Sequence, residues 1–217
     1  MRSVGLMILA AGGSTRLGRP KQLLEYQGRS LIVRAAQAAL SSSCTPIAVV
    51  LGAYAQAIER EVCQLPVQVV ENPDWRQGMG TSIKMGLHAL AEAGGGKFPD
   101  TDGVMITLGD QPSVTGSLLD EMAEAFDMYG GIIASAYCNT LGAPVIFDRA
   151  FYSELASLAP GQGAKRVIDR HPEAVHAVDF PGGVIDIDTE EDYEQLKKGE
   201  ELILFERPGM TWSEGAD

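Results

Sequence analysis

The chain has 217 residues, 45% of which are apolar, and this is enough for one globular domain with a complete hydrophobic core. Its formal net charge of -12 argues against nucleic acid as a partner, because the sequence holds no basic stripe to offset phosphate charge. No apolar run approaches the ~20 residues of a membrane-spanning helix, and the first strand begins too near the N terminus to leave room for a signal peptide. We therefore expect a cytoplasmic protein without membrane association, in which Cys44, Cys63 and Cys138 are free thiols rather than a disulfide framework or zinc site.

Short β-branched runs alternate with helical patterns, which is typical of a parallel α/β sheet. The predicted elements are, in chain order, a strand at 4–9, a helix from Ser30 to about residue 40, a strand at 47–51, a helix at 54–62, a strand at 67–70, a helix at 81–93, a strand at 104–108, a helix at 115–129, strands at 132–137 and 144–147, and a last helix capped by Thr189. Pro144 predicts that its strand is antiparallel or at an edge. The pattern indicates a single-domain three-layer α/β/α fold with a Rossmann-like, mostly parallel sheet over residues 1–197, and a C-terminal extension at 198–217.

The loop after the first strand, LAAGGSTRLGRPK at 9–21, has the composition of a polyphosphate-binding loop. Glycines let successive N–H groups converge on phosphate oxygens, Arg16 can clamp two oxygens, and Lys21 supplies a point charge. It is not a Walker loop, because Pro20 stands where a helix N terminus would donate to phosphate, and it lacks the G-x-G-x-x-G of a dinucleotide fold. A plain glycine turn is the alternative, but it does not explain why the loop's cations, which include Arg19, gather in an acidic chain.

Two later parts of the sequence supply carboxylates that could bind a metal ion. Asp110 comes directly after the strand at 104–108, where a carboxylate faces the ligand crevice of a parallel sheet and can bind Mg²⁺. A turn-capping role before Pro112 is the alternative. Asp186 and Asp188 alternate in the segment DIDT, so only one of the two can face the same site.

A second glycine-rich segment, GMGTS at 78–82, opens the helix predicted at 81–93. The positive end of a helix suits an anion, and the segment therefore predicts a ligand contact. Simple capping by Thr81 or Ser82 is the alternative, which accounts for the hydroxyls and not for Gly78 and Gly80 on either side of Met79.

The segment LAAGGSTRLGRPKQLL resembles the L-A-A-G-x-S-x-R-M/L-G-x-x-K-x-L-L signature of the MobA-like nucleotidyltransferases, and within them the molybdenum cofactor cytidylyltransferase (MocA-like) branch. Four further segments, at 71–87, 106–114, 141–147 and 186–193, resemble that family in the same order. The resemblance covers roughly residues 4–196 and implies the nucleotide-diphospho-sugar transferase type of fold.

The resemblance also implies roles for individual residues. Arg16, Lys21 and Asp110 would be catalytic, and Asp110 with Asp186 would bind Mg²⁺. The implied nucleotide-binding residues are Leu9, Ala10, Ala11, Gly12, Gly13, Ser14, Arg16, Lys21, Gly80 and Ser82, and those implied for the acceptor substrate are Thr81, Gln111, Gly163 and Lys165. The sequence departs from the family at Gly80-Thr81, where G-M-S-S-S-L is usual, and at Gln162 and Lys165, where G-D-x-G-A-R is usual.

The implied reaction transfers CMP from CTP to molybdopterin-bound molybdenum, giving molybdopterin cytosine dinucleotide and pyrophosphate. Ala11 is the family hint for cytosine, because the guanylyl branch has Gly there and a methyl group could exclude a purine, although such a difference discriminates by only ~1–3 kcal/mol. One alternative is a nucleotidyltransferase that uses GTP or that acts on another phosphorylated acceptor. The other is a non-catalytic molybdopterin carrier or maturation factor, with a molybdenum hydroxylase apoenzyme as a partner. A dinucleotide-binding oxidoreductase lacks its fingerprint here, and His88, His171 and His176 fall outside the motifs.

Overall fold

A computed structural model describes residues 1–92, 96–184, 187 and 189–197. The strands are β1 (Val4–Ala10), β2 (Glu25–Tyr26), β3 (Arg29–Ser30), β4 (Ile47–Leu51), β5 (Gln68–Glu71), β6 (Gly103–Leu108), β7 (Ile132–Tyr137), β8 (Thr140–Asp148) and β9 (Val175–Asp179). The α-helices are α1 (Leu31–Leu40), α2 (Ala55–Val62), α3 (Met79–Glu92), α4 (Gly116–Tyr129), α5 (Tyr152–Ser157), α6 (Lys165–Arg170) and α7 (Glu190–Lys197). Asp186, Asp188 and the extension at 198–217 lie outside the described residues.

The central sheet has the strand order β5-β4-β1-β6-β8-β7-β9, and β2 and β3 form a separate hairpin. Strands β5, β4, β1 and β6 are parallel, β8 runs antiparallel between β6 and β7, and β9 is parallel to β7. All seven residues of β1 are buried, which is expected of a strand covered on both faces.

Two apolar layers flank the sheet. Alternate residues of β1, such as Ile8, belong to an apolar cluster with residues of α1, α2 and α4, among them Ile32 and Ile58. The intervening residues, such as Met7, belong to a second cluster with residues of α3, α5 and α6, among them Ile83. The three-layer α/β/α prediction is confirmed, and in the part of the chain described here no helix is long and apolar enough to span a membrane.

Most of the predicted elements are present with small shifts in their bounds. The antiparallel direction predicted for the strand of Pro144 is confirmed, whereas the edge position is wrong. The ladder between β6 and β8 ends at the pair Ile106 and Val145, and the register of β8 with β7 shifts at Ala134/Ser135, so Pro144 lies where its missing N–H interrupts no regular pairing.

The caps differ in their chemistry. Thr189 and Asp192 form a reciprocal capping box. The Thr189 N–H donates to Asp192 Oδ2 at 2.7 Å, and the Asp192 N–H donates to Thr189 Oγ1 at 3.2 Å. Ser30 precedes α1 as predicted, but its hydroxyl donates to Glu61 Oε2 at 2.8 Å instead of capping the helix. Strand β9, the β2–β3 hairpin and the short helices α5 and α6 were not predicted, because these segments are too short or too polar to show a clear period.

Candidate nucleotide site

The loops that follow four parallel strands meet at one edge of the sheet. Strands β1, β4, β5 and β6 point the same way, so the segments beginning at residues 11, 52, 72 and 109 all leave from their carboxyl ends. This edge is where open α/β sheets bind ligands. The topology therefore brings the glycine-rich loop at 9–21, Asp110 and the start of α3 to the same side of the molecule.

Side chains within the loop itself hold its shape. Lys21 donates its backbone N–H to Ser14 Oγ at 3.1 Å, and Gly18 donates to Ser14 O at 3.0 Å. Ser14 and Gly18 have positive φ angles of 48° and 73°, which the turn requires. Gln22, only 2% exposed, donates its amide to Ala10 O and to Gly12 O, each at 3.3 Å. The role of Gln22 was missed at the level of sequence, because nothing in the residues around it indicates that its side chain is buried.

Lys21 and Asp110 form the electrostatic centre of this edge. Lys21 Nζ lies 2.5 Å from Asp110 Oδ2, and the two side chains are 18% and 12% exposed. The pair is positioned by the sheet, since Gly109 N–H donates to Leu9 O at 3.0 Å and so extends the alignment of β1 with β6 by one residue. A cation therefore already sits on the carboxylate, in surroundings largely shielded from water.

The donor chemistry at Asp110 fits a magnesium ion. Mg²⁺ prefers one or two carboxylates together with phosphate oxygens and water, and the Lys21 ammonium stands beside Asp110 as a stand-in for such a cation. Among the described residues there is no cluster of three or more metal-ligating side chains. The second carboxylate predicted for the ion, Asp186, lies outside the described residues and stays a prediction.

The other two cations of the loop behave differently from each other. Arg16 lies exposed on the loop. Arg19 Nη2 lies 2.5 Å from Glu190 Oε1, and its guanidinium stands 5.3 Å from the ring centre of Tyr193. Arg19 therefore joins the loop to α7.

The glycines at the start of α3 have a packing role. A Cβ on Gly78 would stand 2.5 Å from Pro160 O, and one on Gly80 would overlap Ala159 O. The N–H of Gly80 donates to Pro160 O at 2.9 Å. Both glycines are thus explained by the close approach of the segment at 159–161, and the contact of Gly80 with a nucleotide stays a prediction.

Asn72 joins the loop after β5 to the first turn of α3. It is 2% exposed, and its amide donates to Thr81 Oγ1 at 2.8 Å and to Ser82 Oγ at 3.0 Å. Thr81 in turn donates its hydroxyl to Gly78 O at 2.8 Å. The Thr81 hydroxyl is therefore both a donor and an acceptor within the protein, and the Ser82 hydroxyl accepts from Asn72.

The residues predicted for the acceptor lie in two places. Gln111 donates its amide to Ala143 O at 3.0 Å, and Lys165 donates to Thr140 Oγ1 at 2.6 Å, so both contact the first part of β8. Gly163 lies instead beside the start of α3, where a Cβ on it would stand 3.0 Å from Met79 Sδ. Thr81 lies at the start of α3 as well.

The three histidines take part in surface contacts. His88 lies exposed on α3, and His176 stacks on Tyr129 with ring centres 4.4 Å apart. His171 lies 2.7 Å from Glu154, and that hydrogen bond raises the pKa of the imidazole. Nothing in these contacts gives them a part in the chemistry at Lys21 and Asp110.

The chain is similar in sequence to known proteins. Residues 6–175 match the family described as the MobA-like NTP transferase domain. The chain is 32% identical to nicotine blue oxidoreductase of Paenarthrobacter nicotinovorans, over 88% of this chain and 94% of that protein, and 23% identical to the molybdenum cofactor cytidylyltransferase of Escherichia coli K12, over 91% and 97%.

Solved structures show the same fold. Rv0371c from Mycobacterium tuberculosis H37Rv superposes with a TM-score of 0.75 at 29% identity, over 91% of this chain and 98% of that one. A nucleotidyl transferase from Methanothermobacter thermautotroptrophicus gives 0.75 at 21% identity, over 91% and 97%, and shows the fold alone. With a family match over most of its length and the nucleotide-diphospho-sugar transferase type of fold, the chain belongs to the MobA-like NTP transferase family.

Proposed function

We propose that this nucleotidyltransferase moves the CMP group of CTP to molybdenum-loaded molybdopterin, with release of pyrophosphate and with Mg²⁺ as its metal. The observation that carries the proposal is the contact of 2.5 Å between Lys21 and Asp110 at the end of the glycine-rich loop. A largely buried cation and carboxylate at the carboxyl edge of a parallel sheet suit a metal-bound triphosphate better than an uncharged substrate. The similarity to a molybdenum cofactor cytidylyltransferase supports the choice of nucleotide and acceptor.

The chemistry proposed for the chain is positioning and neutralisation of charge. A phosphate oxygen of the acceptor attacks the α-phosphorus of CTP, a new P–O bond forms, and the bond to the pyrophosphate oxygen breaks. Lys21 and Arg16 neutralise charge on the phosphates, and the N–H groups of the loop orient them. Asp110 would hold the magnesium ion, which when bound stabilises the charge of the departing pyrophosphate. A solved structure with 28% identity, that of Rv0371C from Mycobacterium tuberculosis H37Rv, is a complex with manganese, which supports the use of a divalent cation.

A variant of Asp110 tests this proposal. Asp110→Asn keeps the size of the side chain and removes its charge, so we expect the loss of pyrophosphate release and the retention of molybdopterin binding. Asp100→Asn is the matched control, because Asp100 is an exposed carboxylate before the opposite end of β6, paired at the surface with Arg149. Product formation by Asp110→Asn at the rate of the control would overturn the metal assignment. A non-catalytic molybdopterin carrier would instead bind molybdopterin and release no pyrophosphate, in the wild type as in both variants, since a carrier needs no triphosphate clamp.

An oxidoreductase is the second candidate, because the relative at 32% identity is named as one. The glycines of the loop do not form the G-x-G-x-x-G of a dinucleotide fold, and the Lys21–Asp110 pair has no evident use in hydride transfer. Oxidation of NADH or NADPH in the presence of dye acceptors, without pyrophosphate release from any nucleotide, would favour this candidate.

A further inference from the structure

Trp75 lies between the glycine-rich loop and the segment that follows β4. A Cβ on Gly52 would stand 2.6 Å from Trp75 Cβ, and a Cβ on Gly13 would stand 3.2 Å and 3.3 Å from Cζ3 and Cη2 of the indole. The root of the side chain therefore rests on Gly52, and the far rim of its ring rests on Gly13. The ring spans the gap between the two loops.

The backbone of Trp75 is held on both sides. Its N–H donates to Asn72 O at 3.4 Å, and its carbonyl accepts from Gly78 N at 3.1 Å. Asn72 is itself fixed, because its N–H donates to Leu51 O at 2.8 Å and its side chain binds the first turn of α3. The backbone that carries the indole is therefore tied to the sheet edge and to α3.

Ala11 packs into the same contact. A Cβ on Gly52 would come within 2.8 Å of Ala11 Cβ, and Ala11 is 7% exposed. Ala11 also accepts a hydrogen bond from Ala53 N at 3.1 Å. The methyl group that family resemblance links to the choice of base thus lies against Gly52, beside Trp75.

We infer that Trp75 is a positioning residue for the nucleotide, acting through Gly13. The inference rests on the proposed function, in which the loop at 9–21 binds the nucleotide. Loop N–H groups are effective only when they point at the phosphate oxygens, and a misplacement of about 1 Å can cost a factor of about 100 in rate. The indole fixes the height of the Gly13 backbone above the sheet and contacts no reacting atom.

A double-mutant cycle tests the coupling between the ring and the loop. Gly13→Ala adds a methyl group against the indole rim and should weaken CTP binding about tenfold, because the anchored ring forces the loop to move. Trp75→Phe removes the rim atoms and should weaken binding by a smaller factor. In the double variant the shorter ring leaves room for the methyl group, so we expect CTP to bind more tightly than it does to Gly13→Ala alone. Calorimetric titration with CTP, GTP and ATP in the presence of Mg²⁺ measures each affinity.

Fluorescence supplies a readout that leaves the loop unaltered. The chain has two tryptophans, Trp75 and Trp212, and the latter lies outside the described residues. In the Trp212→Phe variant all indole emission comes from Trp75, and we expect its intensity or wavelength to change when CTP and Mg²⁺ bind. Melting temperatures of all variants identify any that fail to fold. If Gly13→Ala or Trp75→Phe fails to fold, the fluorescence titration of Trp212→Phe tests the inference in its place.

The outcomes separate the inference from the proposed function. Additive effects of Gly13→Ala and Trp75→Phe, or unchanged Trp75 emission while the wild-type protein binds CTP, would overturn the positioning role alone. A wild-type protein that binds none of the three nucleotides would overturn the proposed function, and the positioning role with it.

Discussion

Replacement of Lys21 by methionine is the sharpest test of the charge pair. The change keeps the aliphatic stem and removes the ammonium group that lies 2.5 Å from Asp110 Oδ2. An exposed ion pair contributes about 0–1 kcal/mol to stability, and removal of one partner of a fully buried pair costs about 3–5 kcal/mol. The Lys21 and Asp110 side chains are 18% and 12% exposed, so the cost of removing Lys21 should lie between these values. We expect the free energy of unfolding to fall by about 1–3 kcal/mol, which in a chain of this size lowers the melting temperature by roughly 2–12 °C.

The effect on turnover should be larger than the effect on stability. Removal of one preorganised donor that faces developing charge, such as an oxyanion-hole donor of a protease, costs about 2.7–4 kcal/mol of transition-state stabilisation, and we expect a loss of that size here, a factor of about 100–1000 in kcat. The assay is pyrophosphate release with the nucleotide that supports turnover, next to a thermal melt of the same sample. Lys197→Met is the control, because Lys197 pairs with Glu194 on the surface of α7, and it should change neither quantity. A Lys21→Met protein that turns over within threefold of the wild type, or melts at the same temperature, would refute this view of the pair.

Three further predictions concern packing, the C-terminal helix and the thiols. Gly80→Ala should destabilise the protein by about 1–3 kcal/mol in urea unfolding, because the new Cβ would overlap Ala159 O; unchanged stability would show that the segment at 159–161 can move away. Arg19→Ala should lower stability by less than about 1 kcal/mol and leave turnover near wild type, since the guanidinium is half exposed and bonds α7; a hundredfold loss of turnover would instead give it a phosphate role. Burial raises the pKa of Cys44 to about 11, so a thiol reagent at pH 8 should label the two exposed cysteines and spare Cys44 until the protein unfolds; labelling of all three thiols in the folded protein would contradict its burial.

The position of the site could be predicted from the sequence, because topology decides it. Apolar runs that alternate with helical patterns indicate a parallel sheet, and parallel strands carry their carboxyl ends to one edge. Asp110 stands just beyond the end of β6, and Lys21 ends the loop that follows β1. Strands β1 and β6 prove to be neighbours in the sheet, and the two side chains meet there. Their specific roles in catalysis stay predictions until the variants are measured.

Contacts between distant segments could not be predicted in this way. Nothing local to Arg19 indicates that it meets Glu190, which lies 171 positions later in the chain. The glycines at 78 and 80 likewise depend on the approach of residues 159–161, and that approach is set by how α5 and its following loop pack on α3. A local pattern reports the residue types at a site, whereas the reason for a glycine or the partner of an arginine is a property of the packed structure.

Release of pyrophosphate by the purified protein tests the proposed function most directly. The protein would be mixed with Mg²⁺ and molybdenum-loaded molybdopterin, and separately with CTP, GTP or ATP. Release with CTP, and with neither of the other two nucleotides, is the result that the proposed function predicts. No release with any nucleotide, from protein that still binds CTP and Mg²⁺, would contradict the proposed acceptor, and release with GTP instead of CTP would contradict the proposed choice of base.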